Sequence, residues 1–150
     1  MHLELFPEIP ADWRGDAQFV ENWEKYRDVR RVVTGALELE RAAKRIGSSL
    51  EAAPVIHVAD LAAYHAFAGA NVDFAELCIT SAVTLVSGEG PPDAFRLPDV
   101  TGIAVEPRRA EGRKCARSWR ITTDVGSDVA YPDLSARDAA AMREIDGMAP

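Results

Sequence analysis

Cysteine is scarce in this chain: Cys78 and Cys115 are the two among 150 residues. A small secreted scaffold held by disulfides needs an even framework of about four or more cysteines, so that class is excluded and a reducing compartment is expected. No stretch approaches the roughly 20 apolar residues of a membrane span, and no apolar signal-peptide core follows MHLELFPEIP. A soluble, cytoplasmic chain with no membrane partner is the expectation. Histidine is also sparse. His2, His57 and His65 lie at no metal-ligand spacing, and none pairs in sequence with a cysteine as base and nucleophile. GEGPPD lacks the Gly-Lys-Ser/Thr that would make it a phosphate loop, and there is no internal repeat or low-complexity tract. The usual signs of catalysis are missing.

What is present is charge, unevenly placed. The length suits one domain of ordinary size, and the net charge of −7 argues against a general nucleic-acid binder. Residues 108–120, RRAEGRKCARSWR, hold six basic residues against one Glu, while residues 25–45 hold seven against three acids. Together these islands carry +9, leaving −16 on the remainder. Such a distribution suits one anionic partner bound at one place, although a solvated helix face and a basic loop give the same counts.

From about Asp16 to Arg45 the chain has no proline and only Gly35 as an interior breaker. Phe19, Trp23, Tyr26, Val33 and Leu37 form one helical stripe, and Val29, Val32, Ala36, Leu39 and Ala43 another, so a long helix with two sides to bury is expected. Glu21–Lys25 and Glu40–Lys44 stand at favourable i,i+4 spacing, and Gly47 with the following serines is expected to end the helix. Val55–Ala59 reads as a strand. DLAAYHAFAG reads as a short helix capped by Asp60 and Gly69. Leu77–Thr80, Ser81–Ser87 and Ile103–Pro107 are β-branched and read as further strands. The expected fold class is α+β: a long N-terminal helix, a small mixed sheet with one or two helices, and a short C-terminal tail ending in a helix.

That tail carries Cys115-x-x-Ser118, sixteen residues, then Ser135-x-x-Asp138. This is the frame of a four-cysteine zinc knuckle with three cysteines replaced. One thiolate and one carboxylate are credible donors where a structural zinc takes four, so no zinc is expected. Ser135 and Asp138 fit a capping box, worth about 1 kcal/mol. Burial of Trp119, Ile121, Val125, Tyr131, Leu134 and Met142 is expected to contribute the rest, at roughly 1.5–3 kcal/mol for each fully buried large side chain. For Trp119 two roles stand open, packing beneath the knuckle or stacking on a nucleobase.

Three blocks in order, KRIGSSLEAAPVIHVAD, ELCITSAVTLV and AEGRKCARSWRITTDVGSD, resemble the C-terminal part of bacterial isoleucyl-tRNA synthetase. The resemblance implies that residues 1–47 are the last helix of an anticodon-binding bundle. Residues 48–110 would then be a small α+β junction domain, and 111–150 a degenerate zinc knuckle whose KCARSWR replaces a CxRCW pattern. It further implies a fragment, begun at an added or internal Met1, whose partners are the anticodon arm of isoleucine tRNA and the remainder of the synthetase. The HIGH and KMSKS signatures are absent from the chain. Aminoacylation, editing and ATP use are therefore expected in domains outside it, with no cofactor and no catalytic residue within. The residues expected to meet tRNA are Arg41, Lys44 and Arg45 at the helix end, and Arg113, Lys114, Arg117, Trp119 and Arg120 around the knuckle. A tail of the valine or leucine synthetase, or a protein-interaction module using the long helix, are the alternatives.

Overall fold

The computed structural model describes residues 8–10, 13 and 17–147; His2, Asp16 and most of the proline-bearing lead-in lie outside them. Helix α1 runs Ala17–Ala42 and buries Val29, Val32, Val33, Ala36 and Leu37, a spacing that makes one continuous apolar face. Its first half is different. Phe19 and Trp23 of the first expected stripe are exposed, as are Leu39 and Ala43 of the second, while Val29, Val32 and Ala36 of the second join Val33 and Leu37 of the first in the one buried face. The helix ends earlier than Gly47. Lys44 adopts φ +56, and the N–H groups of Lys44 and Arg45 bond the carbonyls of Arg41 and Glu40 at 3.0 and 2.9 Å, a Schellman closure. That turn carries Arg45 rather than Lys44 back to Glu40, while Glu21–Lys25 pairs at 2.7 Å as expected.

After a 3₁₀ turn at Ser49–Glu51 come β1 (Val55–Val58), α2 (Leu61–Ala68), α3 (Phe74–Cys78), β2 (Thr84–Ser87) and β3 (Ile103–Glu106). β1 is the central strand, parallel to β2 and antiparallel to β3, which makes the expected mixed sheet. All four β1 residues are buried. Asp60 caps α2 by accepting from Ala63 N at 2.7 Å, and Gly69 closes it at φ −88 without entering the left-handed region.

Leu77–Thr80 is not a strand. The Asp73 carboxylate accepts from Ala75 N and Glu76 N at 2.8 and 3.1 Å, and this cap starts a short helix that absorbs Leu77 and Cys78. Ile79 then reverses the chain at φ +56. Local capping outweighs the β-propensity of the Ile-Thr pair.

Ile56, Val58 and Val105 of the sheet share one buried core with Val32, Val33 and Ala36 of α1. Tyr26 of α1 lies 5.9 and 5.8 Å from the rings of Phe67 and Phe74, tying α2 and α3 to the same side. The C-terminal part is a hairpin of β4 (Arg113–Lys114) and β5 (Ile121–Thr122), followed by α4 (Ala136–Gly147). Ser81 joins it to the sheet: its hydroxyl donates to Leu50 O at 2.5 Å and accepts from Ile121 N at 2.7 Å. The fold is α+β. No helix among the described residues is long and apolar enough to cross a membrane.

Candidate nucleic-acid interface

Arg113 stands opposite Thr122 and Lys114 opposite Ile121 in the β4–β5 hairpin. Gly112 permits this pairing: at φ +116, a Cβ there would lie 2.2 Å from Thr122 O. The loop between the strands closes tightly, with Cys115 N donating to Arg120 O at 2.8 Å and Trp119 N to Cys115 O at 3.0 Å. This closure places Trp119 at φ +63, a conformation bulky residues rarely adopt. The residue is 62% exposed, and Lys114 Nζ stands 5.0 Å from its ring centroid, in cation–π range. Trp119 therefore does not pack beneath the knuckle, because the left-handed turn directs it outward. Val125 is buried, while Ile121, Tyr131, Leu134 and Met142 are half-buried, so the small module has less apolar cover than the sequence reading supposes.

The four knuckle positions do converge. Cys115 is fully buried, and its thiol donates to Asp138 Oδ2 at 3.0 Å. The Ser135 hydroxyl donates to the same carboxylate oxygen at 3.0 Å and accepts from Asp138 N at 3.3 Å, so Ser135 caps α4 as expected. The reciprocal half of the capping box is altered. Ser135 N turns to Cys115 Sγ at 3.4 Å, because Asp138 is engaged with the thiol and hydroxyls instead. The Ser118 hydroxyl holds the Asp138 carboxyl below the usual carboxylate range against the opposing push of burial, and Cys115 and Ser135 lower it further. Asp124 supplies a further cap to α4, accepting from Ala136 N at 3.0 Å. Among the described residues no three His, Cys, Asp or Glu converge as metal ligands. A thiol, a carboxylate and two hydroxyls bonded to one another do not fit a structural zinc, which takes four thiolate, imidazole or carboxylate donors.

The other basic residues singled out from sequence are divided. Arg113 shares the hairpin with Lys114 and stands 3.7 Å from Asp133. Arg117 turns toward α4, with Nη1 2.9 Å from Met142 Sδ. Arg120 faces the sheet: Nη2 donates to Ser81 O at 2.7 Å, while its buried Nε has no partner. At the end of α1, Arg41 pairs with Glu38, and Arg45 grips both oxygens of Glu40 at 2.6 Å.

No family model matches the chain. The isoleucine–tRNA ligase of Agrobacterium fabrum is 65% identical over 145 residues, which covers 97% of this chain. Those of Bartonella henselae and Brucella abortus are 58% and 57% identical, covering 97% and 99% of it. The chain is a segment of this synthetase family. It spans about 15% of the length of these isoleucine–tRNA ligases.

Two arginines of this synthetase segment escaped selection from the sequence. Arg108 and Arg109 follow β3 and line a cleft of about 260 Å³ together with Lys44 and Arg45, so the two basic islands of the sequence meet there. The signal was present in the charge counts, but only the antiparallel bridge between Ala52 and Arg109 brings them together. His57 and Cys78 take no part. His57 Nε2 lies 2.6 Å from Glu106 Oε1, and burial pushes the Cys78 thiol up to about 11, which leaves it unreactive at neutral pH.

Proposed function

We propose that this synthetase segment grips the anticodon arm of isoleucine tRNA, stacking a splayed base on Trp119. The observation that carries the reading is the exposed indole itself, held outward by an unfavourable left-handed turn with Lys114 over its ring. A large apolar ring kept in water at a conformational cost implies a partner with a π-face, and nucleobases stack on such rings for roughly 1–3 kcal/mol. Lys114, with Arg113 and Arg117 on the same hairpin and loop, supplies the cations for adjacent phosphates. In this reading aminoacylation and its ATP belong to parts of the enzyme outside this chain, the knuckle works without zinc, and the compartment is the cytoplasm, where translation runs.

The test is titration of the chain with an isoleucine tRNA transcript at low and moderate salt, alongside Trp119→Ala. The expected result is salt-sensitive binding that the substitution weakens by about 1–3 kcal/mol without altering its salt slope. A second reading, a protein-interaction module, draws on the exposure of Val20 and Trp23 on α1. No binding at low salt, with self-association through α1, would favour it; in the first reading the remainder of the synthetase covers that face.

A further inference from the structure

Lys44 and Arg45 close α1, and Arg108 and Arg109 follow β3, more than sixty residues later in the chain; all four line one cleft of about 260 Å³. Arg108 and Arg109 also line a second cleft of about 400 Å³, together with Ile121, Thr122 and Thr123. The two arginines thus form a ridge between clefts. The second cleft thus reaches β5, whose hydrogen-bonded partner β4 carries Arg113 and Lys114, the latter over the Trp119 ring. The basic ridge and the exposed indole are therefore joined by one short hairpin.

Backbone pairing fixes the ridge in place. Ala53 N donates to Arg108 O at 2.7 Å and Ala110 N to Glu51 O at 2.8 Å, on either side of the Ala52–Arg109 bridge. The side chains above this clamp are open to water, at 60% for Arg108 and 70% for Arg109. Each has a carboxylate nearby, Glu106 at 3.1 Å and Glu51 at 3.8 Å. Such exposed pairs contribute little in water, and the two non-bridging oxygens of a phosphodiester offer the planar guanidinium a bidentate acceptor in their place. Lys44, held in the left-handed turn that closes α1, adds a cation to the lining of the smaller cleft.

We infer that the Arg108–Arg109 ridge and Lys44 form a track for the RNA phosphodiester backbone, continuing from the base stacked on Trp119. The inference rests on the reading of Trp119 given above and assigns it a second, sequence-independent contact surface. The guanidinium groups of Arg108 and Arg109 take phosphate oxygens, and Lys44 neutralises a further phosphate across the smaller cleft.

The experiment measures the affinity of the whole chain for an isoleucine tRNA transcript as a function of salt. For Arg108→Gln/Arg109→Gln, the slope of log K against log salt is expected to fall by about 1.4–1.8, at 0.7–0.9 for each lost phosphate contact. Arg108→Lys/Arg109→Lys should retain the slope. Lys44→Gly, which relieves its backbone and so does not threaten folding, should lower the slope by about 0.7–0.9. An unchanged slope in the glutamine and glycine variants, with Trp119→Ala still weakening binding, overturns the track and leaves the stacking reading intact. Absence of tRNA binding by the unmodified chain overturns both.

Discussion

Cys115 Sγ donates to Asp138 Oδ2 across 3.0 Å at the centre of the knuckle frame. One proton thus links two side chains that come from opposite ends of the module, 23 positions apart. Ser118 and Ser135 complete the ring around the same carboxylate.

This arrangement yields an expectation about metal. The unmodified chain, purified without chelator, should contain no stoichiometric zinc by elemental analysis. Ser118→Cys, Ser135→Cys and Asp138→Cys together should convert the converging positions into a four-thiolate site that takes one zinc per chain. Tight zinc in the unmodified protein would sink the hydrogen-bonded account.

Asp138→Asn tests the same ring through pH. A carboxyl whose folded pKa lies below its unfolded value, near 3.9 for Asp, contributes stability fully above the unfolded value and loses it as pH falls through the folded one. At pH 7 the asparagine variant should be less stable by about 1–3 kcal/mol in urea unfolding, since buried donors lose a charged acceptor. The gap between variant and parent should narrow as pH falls below about 4. A gap independent of pH would show that the charge of Asp138 is not what the fold uses.

Trp119→Gly separates stability from binding. The left-handed conformation at φ +63 costs a non-glycine residue roughly 1–2 kcal/mol, and little packing is lost from so exposed a ring. Thermal unfolding should therefore move upward or stay in place while tRNA affinity falls by about 1–3 kcal/mol. A large drop in melting temperature would mean that the indole supports the knuckle after all.

Gly35→Ala sets two effects against each other. Alanine favours the helix by about 1 kcal/mol. Yet a Cβ at residue 35 would lie 2.8 Å from two ring carbons of Phe95, whose backbone is pinned to Val105 by two 2.9 Å hydrogen bonds. The ring must swing out of its site, and overpacking of this kind costs about 1–3 kcal/mol. Net destabilisation near 1 kcal/mol is expected by denaturant unfolding, and a more stable variant would show that Phe95 yields freely.

Most of the fold was legible because its signals are local. Asp60 ahead of an alanine-rich run announces α2, and the Val29–Leu37 spacing announces the buried face of α1. The failures are places where a nearby hydrogen bond overrules composition. Asp73 turns a strand-like stretch into α3, and Lys44 closes α1 before the glycine expected to end it. At the site, Cys-x-x-Ser and Ser-x-x-Asp spacing located the convergent cluster, but nothing in it states that the thiol and carboxylate bond each other. Trp119 could be placed on a knuckle from sequence, whereas its exposure follows from a backbone reversal that only three dimensions disclose. Arg108 and Arg109 were visible as charges, and their company with Lys44 depends on a bridge to residue 52.

Ser81 gives the molecule its mechanics. Its hydroxyl bonds Leu50 and Ile121 at once, and its carbonyl receives Arg120, so strand layer and hairpin meet at a single side chain. The hairpin is thereby tied, through β5, to the backbone that precedes β1 and β2. Removing that hydroxyl, as in Ser81→Ala, unfastens both parts together, so amide exchange should quicken in β5 and beside Leu50 at once.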